Sequence, residues 1–479
     1  MKKQILFTAF EAAPFIKTGG LGDVAGSLPK AVNSSEYDIR VVLPLLGAIP
    51  AEYADKMEFI CDYKVELGWR KGYCGLFRLV RDGVTYYFLD NEYYFYREKV
   101  YGEFDDGERV AYFSMAVLET ISHIKGFNPQ IIHCNDWHTA LVPVFYNEFY
   151  KGKPGYEDIK TIFTIHNLKF QGQYDKFIIG DILGLNGTPA EGQLIHDDAV
   201  NFLQGAVIYC DKVTTVSPTY AENICTPEYG EGLEGLFQSR SYKLSGIVNG
   251  IDYQEYNPEK DKNIPERYTV DSLEKKKVNK AKLQEELGLP VDETIPVFAM
   301  VTRMTAQKGM DFVKYLLPRF AEMNMQLAIL GTGDAEYEDA VTAAAAQHPD
   351  KISASIKFDE KFSRLFYGGA DCFMMPSVFE PCGLAQMMAM RYGTLPLVRK
   401  TGGLKDTVKG LWDFGEEATG FAFEDADSNG LLAAVEQATY VWENNKPLWG
   451  KMQQNAMSQD FSWEKSAEVY KKMYDELIG

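Results

Sequence analysis

The 479-residue chain lacks several features that mark whole classes of protein. Its seven cysteines are scattered and form no C-x-x-C pair, which argues against a disulfide framework and against a structural zinc site. No apolar run approaches the about 20 residues that a membrane-spanning helix needs. Segment 1–4 and the short apolar strand after it have neither the apolar core nor the cleavage site of a signal peptide. We therefore expect a cytoplasmic protein.

Positive charge is also scarce. The chain has 49 lysines and arginines against 68 aspartates and glutamates, a formal net charge of −19. Nucleic acids and anionic membrane surfaces both require a basic protein face, so we expect neither as the main partner. An anionic substrate would have to be held by a few locally placed cations. Lysines and arginines at strand ends are therefore the first candidates for binding groups.

The length is too great for one hydrophobic core, so two or three domains are expected. Strand-like apolar runs alternate with segments of helical period, which is typical of parallel, doubly wound sheets. Asp82-Gly83 between two β-rich runs predicts a hairpin. A polar stretch over 257–277 is interpreted as the connection between domains. The predicted strands of the second half are 295–301, 326–330, 352–358, 372–375 and 395–398.

The motif T-G-G-L-x-D occurs twice, at 18–23 and at 401–406, each time after an apolar run and before a helix-like segment. A strand, a glycine-rich turn and a helix expose backbone N–H groups that bind anions well. Glycine also lets a ligand approach the backbone closely. We interpret the pair as two phosphate-type turns on two nucleotide-binding-like sheets. A simple tight turn between strand and helix remains the alternative.

Unusual polar residues fall where the predicted parallel strands end, which is where open parallel sheets bind their ligands. An arginine can grip phosphate oxygens with two parallel N–H bonds, and a lysine adds a point charge. If the two sheets face each other across a cleft, these residues converge on one ligand. They are Lys17, Asp136, His138, His166 and Asn167 in the first half, and Arg303, Lys308 and Glu380 in the second.

Pro381 suits the first position of a helix, which predicts Glu380 at the N-cap and the amides of Cys382, Gly383 and Leu384 pointing outward. Two interpretations are open. Glu380 is a helix cap and Cys382 a small buried residue, or the carboxylate binds sugar hydroxyls while the amides receive diphosphate or sugar oxygens.

His133, Asp136 and His138 resemble a metal cluster by composition. Side chains alternate between the faces of a strand, however, and the chain then turns. No ligand set with the spacing of a catalytic zinc site stands out. We therefore expect no metal here.

Taken together, ten stretches resemble the bacterial glycogen synthases and plant starch synthases, which are retaining glycosyltransferases of the GT-B fold. They occur in order along the whole chain, and the combination is far more specific than any one of them. The stretches are K-T-G-G-L-G-D-V (17–24), H-C-N-D-W-H (133–138), T-I-H-N-L (164–168), T-V-S-P-T-Y-A (215–221), Y-G-E-G-L (229–233), V-N-G-I-D (248–252), Arg303 with Q-K-G (307–309), M-P-S (375–377), F-E-P-C-G-L (379–384) and T-G-G-L-K-D (401–406).

The resemblance implies an α/β protein with two doubly wound Rossmann-like domains facing across a deep cleft. Residues 1–252 would form the acceptor side and residues 253–460 the side that binds the nucleotide-sugar donor. A C-terminal helix within 461–479 would pack back on the first domain. The oligomeric state does not follow from the resemblance.

The resemblance also implies transfer of glucose from ADP-glucose to the non-reducing 4-hydroxyl of an α-1,4-glucan, with retained anomeric configuration, no cofactor and no essential metal. Two alternatives stay open: a weak or silent glucan-binding or regulatory homologue, and a GT-B glucosyltransferase that uses UDP-glucose. Retention could proceed through a covalent glycosyl-enzyme or by attack on the donor's own face. No second carboxylate partner for Glu380 is obvious, which favours same-face attack.

By position, the resemblance implies roles for two sets of residues. Lys17, Gly19, Gly20, Arg303 and Lys308 would contact the diphosphate, Asp23 the ribose and Phe358 the adenine, while Asn249 and His166 would bind glucosyl hydroxyls and Asp136 would border the acceptor. The implied catalytic residues are Glu380, Arg303, Lys308, His166 and Asp136. The implied donor-binding residues are Lys17, Gly19, Gly20, Asp23, Asn249, Phe358, Cys382, Gly383 and Leu384.

Three positions depart from the family pattern. Gln204 stands where lysine is common, Val378 where arginine is common, and Phe358 where tyrosine is common. None of the three removes a phosphate-binding cation named above. They leave open the turnover rate and the strictness of donor choice.

Overall fold

The computed structural model describes residues 2–97 and 99–479. The chain divides into two compact units: the first unit is Met1–Gly250 with Trp463–Gly479, and the second unit is Ile251–Ser462. The predicted borders at 252 and 460 lie two residues from the borders of these units. Each unit is built on a largely parallel sheet, so the prediction of two Rossmann-like α/β domains is confirmed.

The strands of the first unit form two sheets. They are β1 (Lys3–Thr8), β2 (Tyr37–Pro44), β3 (Glu58–Leu67), β4 (Arg70–Arg81), β5 (Val84–Asp90), β6 (Ile131–Asn135), β7 (Lys160–Ile165), β8 (Gln173–Tyr174), β9 (Ile195–His196), β10 (Ala199–Asn201), β11 (Lys212–Thr215) and β12 (Leu244–Gly246). The larger sheet has the order β12-β11-β7-β6-β1-β2-β5-β4-β3, and the smaller one β8-β10-β9. The strands from β12 to β5 are parallel, whereas β4 pairs antiparallel with both β3 and β5.

The second unit has a single sheet whose neighbouring strands are all parallel. Its strands are β13 (Val297–Val301), β14 (Gln326–Gly331), β15 (Ile352–Ile356), β16 (Cys372–Met375), β17 (Leu395–Arg399) and β18 (Phe421–Phe423), in the order β15-β14-β13-β16-β17-β18. The five predicted strands are confirmed, and their ends shift by at most two residues. The sixth strand, β18, was not predicted because three residues carry too little pattern.

Helices accompany the strands in both units. The first unit has α1 (Gly20–Val32), α2 (Ala51–Ala54), α3 (Glu92–Phe95), α4 (Asp106–Ile121), α5 (Leu141–Phe145), α6 (Ile178–Asp181), α7 (Ala190–Gln193), α8 (Phe202–Tyr209), α9 (Pro218–Asn223), α10 (Glu234–Ser239) and, at the end of the chain, α20 (Trp463–Ile478). The second has α11 (Lys276–Glu286), α12 (Met310–Glu322), α13 (Ala335–Gln347), α14 (Glu360–Gly369), α15 (Ala385–Arg391), α16 (Gly402–Thr407), α17 (Leu411–Phe414), α18 (Ser428–Asn444) and α19 (Lys446–Met457). Within residues 2–97 and 99–479, no helix combines the length and hydropathy that crossing a membrane requires.

The strand order reverses beside β1 in the larger sheet of the first unit and beside β13 in the sheet of the second unit. In the first unit the chain runs from β1 to β2 and later returns to β6 on the other side of β1. In the second unit it runs from β13 to β14 and β15, and then returns to β16 on the other side of β13. The segments that follow the two central strands therefore leave in opposite directions and open a crevice, the usual place for a ligand in an α/β sheet.

The predicted hairpin is confirmed. Asp82 and Gly83 join β4 to β5 with positive φ values of 49° and 77°, and their neighbours Arg81 and Val84 pair directly. Positive φ at both central residues gives the turn the twist that suits flanking strands. Strand β3, by contrast, was not predicted, because it is an edge strand whose first half is largely exposed and lacks an apolar pattern.

The interpretation of 257–277 as a connection between domains is wrong. The whole stretch belongs to the second unit. Tyr268 is 2% exposed, and its hydroxyl donates to the carbonyl of Tyr392 at 2.7 Å. Lys276 is buried and donates to the carbonyl of Gly368 at 2.8 Å. The prolines and charges of the stretch suggested a linker, but its buried aromatic and lysine side chains anchor it to the C-terminal ends of α14 and α15.

Helix α20 is held against the first unit by a buried histidine. Nδ1 of His133 on β6 hydrogen-bonds the Tyr474 hydroxyl at 2.8 Å, and its Nε2 bonds the Thr164 hydroxyl at 2.7 Å. Burial lowers the pKa of His133 to about 3. His133 is therefore a neutral core residue with both ring nitrogens occupied.

We predict that the first unit loses stability as the pH falls. The unfolded chain binds a proton at His133 below about pH 6.5, while the folded unit does not, so stability must rise with pH in this range. From pH 7.5 to pH 5, this residue alone removes about 2 kcal/mol from the free energy of unfolding. Urea unfolding at several pH values measures the effect.

His133→Asn provides the control. The variant is less stable at pH 7.5, because it loses a buried hydrogen bond, but its free energy of unfolding depends less on pH. An unchanged pH slope would show that His133 does not contribute to the pH dependence.

Candidate active site

The crevice between β13 and β16 contains a cavity of about 210 Å³. Residues that follow both strands line it, together with the start of α15. The predicted residues among them are Arg303, Lys308, Glu380, Gly383 and Leu384, and the remainder include Thr302, Met375, Ser377 and Ala385. The strand ends of the second unit therefore bring together the predicted cations and the predicted carboxylate.

Glu380 is the centre of this cavity's polar network. It is 7% exposed, and its Oε2 atom accepts hydrogen bonds from Lys308 Nζ at 2.6 Å and from the Ser377 hydroxyl at 3.1 Å. A buried carboxylate is costly unless a cation and further donors compensate it, and here both are present. Ser377 was missed in the sequence, where M-P-S (375–377) gave no sign that its hydroxyl would face a carboxylate three residues later.

Lys308 reaches Glu380 because the backbone before α12 lies close to the end of β16. Gly309 has φ +74°, and a Cβ atom there would lie 2.1 Å from the carbonyl oxygen of Pro376. Only glycine tolerates both the left-handed conformation and this close approach. The glycine thus places the lysine within reach of the carboxylate across the crevice.

Arg303 supplies the uncompensated positive charge. Its side chain is exposed and lines the same cavity. Within residues 2–97 and 99–479, its guanidinium group makes no hydrogen bond or ion pair. Because Glu380 largely neutralises Lys308, Arg303 makes the cavity suitable for an anion.

The prediction that Glu380 caps a helix is wrong. Helix α15 begins at Ala385, and the residue before it, Leu384, occupies the cap position. Gly383 has φ +72°, which no helix accommodates. The carbonyl of Glu380 accepts a hydrogen bond from the amide of Gly403 at 3.1 Å. Segment 380–384 is therefore a loop whose backbone bonds run to a neighbouring segment.

That neighbouring segment is the second T-G-G-L motif, whose glycines pack against backbone. A Cβ atom on Gly402 would lie 2.1 Å from the carbonyl oxygen of Glu380, and one on Gly403 would lie 2.2 Å from that of Cys382. Both glycines are therefore required for backbone packing. The motif supports the carboxylate loop from behind, and the tight-turn alternative describes it better.

The first T-G-G-L motif is different, since a Cβ atom on Gly19 or Gly20 would meet nothing within 4 Å. Neither glycine has a positive φ, and Gly19 is extended at φ −163°. The fold therefore requires neither of them to be glycine. The space beside both glycines is unfilled.

A buried carboxylate that sequence analysis missed lies beneath this loop. Glu11 is 2% exposed, and its Oε2 accepts from the Thr18 amide and the Thr18 hydroxyl, each at 2.6 Å. Its Oε1 accepts from the Gly22 amide at 3.2 Å. Burial raises the pKa of Glu11, and these bonds oppose the rise. The only signal in the sequence was a single acidic residue within an otherwise apolar run.

The prediction that this loop exposes bare N–H groups is wrong for Thr18 and Gly22, because both amides donate to the Glu11 carboxylate. Lys17 folds across the loop, and its Nζ lies 2.8 Å from Oδ1 of Asp23. A Cβ atom on Gly22 would lie 3.0 Å from the Lys17 side chain, so glycine makes room for this fold. Lys17 and Asp23 thus form a partly exposed ion pair next to the loop.

Asp136 and His166 meet at the ends of β6 and β7. The Asp136 carboxylate accepts from the His166 amide at 2.7 Å, and burial raises its pKa to about 7. Asp136 has φ +56°, a strained backbone conformation for a residue with a side chain. Such a conformation typically costs about 1–3 kcal/mol. His166 Nε2 bonds Asn135 Oδ1 at 3.0 Å, and burial lowers the pKa of His166 to about 3. The histidine is therefore neutral.

His138 is buried and stacks on Tyr101 with ring centroids 4.4 Å apart. Among residues 2–97 and 99–479, no group of three or more His, Cys, Asp or Glu could hold a metal ion. Its neighbour His133 is already occupied by hydroxyl groups. The three side chains that composition suggested as a cluster therefore have separate partners: hydroxyl groups for His133, the His166 amide for Asp136 and an aromatic ring for His138.

The remaining predicted residues are separate from these networks. Phe358 is 87% exposed, just beyond the end of β15. Asn249 is 5% exposed, and in the described part of the chain its Oδ1 has no hydrogen-bond partner. The Gln204 side chain donates to the carbonyls of Gln193 and Ile195, both at 2.8 Å, so an uncharged amide ties the loop before α8.

The two units correspond to two family models. Residues 4–239 match the model of the starch synthase catalytic domain, and residues 281–456 match the model of glycosyl transferases group 1. Together with the two Rossmann-like units, these matches define the chain as a glycosyltransferase of the GT-B fold.

Full-length relatives narrow the class. The glycogen synthase of Clostridium novyi (strain NT) is 46% identical over 475 residues, which cover 99% of each chain. That of Clostridium acetobutylicum is 47% identical over 476 residues, covering 99% of this chain and 100% of the relative. The catalytic domain of starch synthase IV from Arabidopsis thaliana, solved bound to ADP and acarbose, matches with a TM-score of 0.90 and 32% identity over 100% of both chains. The chain belongs to the glycogen synthase family.

We predict that alanine substitution destabilises the protein strongly at the second T-G-G-L motif and little at the first. Gly402→Ala forces a Cβ atom into a carbonyl oxygen at a φ of +44°, and we expect a loss of at least about 2 kcal/mol in stability. Gly19→Ala meets open space, and we expect a change within about 1 kcal/mol. Thermal and urea unfolding of the two variants measure the difference. Equal destabilisation would contradict the structural distinction between the motifs.

Proposed function

We propose that the protein is a glycogen synthase that transfers glucose from ADP-glucose to the non-reducing 4-hydroxyl of an α-1,4-glucan, with retention of configuration. The observation that carries the proposal is the crevice of the second unit, where Arg303, Lys308 and Glu380 line one cavity. Relatives at 46–47% identity bear the name glycogen synthase, and a starch synthase of the same fold was solved with ADP and acarbose. These findings support a nucleotide-sugar donor and a glucan acceptor.

In this proposal, Arg303 and Lys308 stabilise the departing diphosphate. Negative charge grows on the leaving phosphate as the bond to the anomeric carbon breaks, and positioned cations then contribute most. Glu380, oriented by Lys308 and Ser377, accepts hydrogen bonds from glucosyl hydroxyls. Because the Lys308 ammonium group is paired with the Glu380 carboxylate, it can bind the carboxylate and the diphosphate together. Its positive charge then reduces the repulsion between these two anions.

Other residues would position the donor. The backbone amides of Cys382, Gly383 and Leu384 would hold glucosyl or phosphate oxygens, and the exposed Phe358 ring would stack on adenine. On the first unit, Lys17, Gly19 and Gly20 would contact the diphosphate and Asp23 the ribose. The open space in front of the two glycines supports this assignment. The unpartnered Oδ1 of Asn249 supports a role in binding a glucosyl hydroxyl.

The acceptor side would use His166 and Asp136. A neutral His166 can bind a sugar hydroxyl without adding charge, and Asp136 would border the acceptor. We favour attack on the face of the glucosyl ring from which the phosphate leaves. The acceptor 4-oxygen forms a bond to the anomeric carbon as the bond between that carbon and the phosphate oxygen breaks. The acceptor proton passes to the same phosphate oxygen. No cofactor takes part, since ADP is the leaving group of the substrate itself. Trapping a glycosyl adduct on any Asp or Glu would overturn this route.

We predict that Arg303→Ala lowers kcat by about 10²–10³-fold, which corresponds to about 3–4 kcal/mol for one lost donor to a developing oxyanion. Arg319→Ala is a matched control, because Arg319 is a surface residue of the same unit, paired with Glu322 and Glu436. Steady-state kinetics with ADP-glucose and an α-glucan measure both variants. A raised KM with unchanged kcat would mean that Arg303 binds ground and transition states equally, contrary to the proposed role.

We predict a higher kcat/KM with ADP-glucose than with UDP-glucose. Incorporation of radiolabelled glucose into an α-glucan, measured with the two donors side by side, tests this expectation. The UDP-glucose alternative would be supported by the opposite preference. Absence of transfer from both donors, with the glucan still bound, would identify a silent glucan-binding homologue.

A further inference from the structure

We infer that Glu11 is a positioning residue of the donor site: its carboxylate fixes the loop that presents Gly19 and Gly20. The inference rests on the proposed function, in which this loop contacts the diphosphate of the donor. Glu11 itself lies beneath the loop, 2% exposed, and acts through the loop.

The carboxylate holds both ends of the loop. One oxygen accepts from the amide and the hydroxyl of Thr18, and the other accepts from the amide of Gly22. A planar group thus fixes the separation and direction of two backbone N–H groups four residues apart. Gly19, the extended residue before α1, and Gly20 and Leu21, the first two residues of α1, lie between these anchors, so Glu11 fixes the junction at which the loop enters the helix.

A paired glycine segment needs such an anchor. Glycine loses more conformational freedom on ordering than any other residue, and two in succession would leave the loop poorly defined. No neighbouring group contacts the positions where Cβ atoms of Gly19 and Gly20 would lie, so side-chain packing does not define these two residues, and the nearest buried side chain in the sequence is that of Leu21 after them. A loop ordered in advance binds its ligand with a smaller entropic cost.

Because Glu11 is negatively charged, the direction of the change in donor affinity on its replacement tests the inference. A buried carboxylate near a diphosphate repels it, so removing the charge alone would strengthen donor binding. Loss of the anchor would weaken it. Glu11→Gln keeps the size of the side chain but turns an N–H group toward one of the three donors, which breaks one end of the anchor. The two effects therefore predict opposite changes in donor affinity.

The experiment compares the affinity for ADP, measured by titration calorimetry, with the KM for ADP-glucose, the KM for glucan, kcat and the melting temperature. We expect Glu11→Gln to weaken ADP binding and raise the donor KM about tenfold, in line with a broken buried hydrogen bond, and to alter the glucan KM and kcat less. Glu119→Gln is the control, a carboxylate on α4 that accepts from the Tyr150 hydroxyl in the same unit. We expect it to leave ADP affinity unchanged.

The partner residue provides an independent pair of variants. Thr18→Ser retains the hydroxyl and should keep ADP affinity within about twofold, whereas Thr18→Val removes it and should behave like Glu11→Gln. This pair decides the question if Glu11→Gln does not fold. Unchanged or tighter ADP binding in folded Glu11→Gln, or equal affinities of the two Thr18 variants, overturns the inference.

Gly19→Ala separates this inference from the proposed function. If it weakens ADP binding while Glu11→Gln does not, the loop contacts the donor and only the role of Glu11 is wrong. If neither changes ADP affinity but Arg303→Ala still lowers kcat, the inference fails and the glucosyl transfer proposed for the second unit stands. If the wild-type protein transfers no glucose but the Glu11 and Thr18 variants weaken ADP binding as expected, the positioning role stands and the proposed activity fails.

Discussion

The ion pair between Lys308 and Glu380 is the interaction on which the second unit's crevice depends. It joins a segment that follows β13 to one that follows β16, across the point where the strand order reverses. Glycines on both sides permit the close backbone approach: Gly309 packs on the Pro376 carbonyl, and Gly402 packs on that of Glu380. The Glu380 carboxylate can remain buried because Lys308 supplies a cation and Ser377 a hydroxyl group. Arg303 lines the same cavity and has no anionic partner among the described residues.

The first unit also contains a buried carboxylate, which is stabilised by neutral hydrogen-bond donors instead of a cation. Its reversal point lies between β1 and β6, and it too has a buried carboxylate, Glu11, close to the start of a helix. Here the three donors are neutral: two amides and a hydroxyl. The carboxylate shapes a loop instead of lining a cavity, and the partly exposed pair Lys17–Asp23 lies next to that loop.

Much of the fold could be predicted from the sequence, because alternating apolar strands and helical segments are local patterns. The cations Arg303 and Lys308 could also be predicted, since a strand end in a parallel sheet is a known ligand position. Ser377 and Glu11 could not. The partners of both side chains lie only three to eleven residues away in the sequence, but whether the groups meet depends on the path of the irregular backbone between them, which short-range patterns do not specify. The same limitation made the anchored stretch 257–277 look like a linker.

The two T-G-G-L-x-D motifs mark the boundary between the two kinds of information. By itself, the sequence determined that a glycine-rich turn follows a strand in each unit, because glycine, turn and helix preferences act over a few residues. Only the tertiary structure decided what occupies the space beside each glycine. At Gly402 another backbone segment fills it, whereas at Gly19 it is open. The reason is physical: a missing Cβ atom permits close approach, but which group approaches depends on segments far away in the chain.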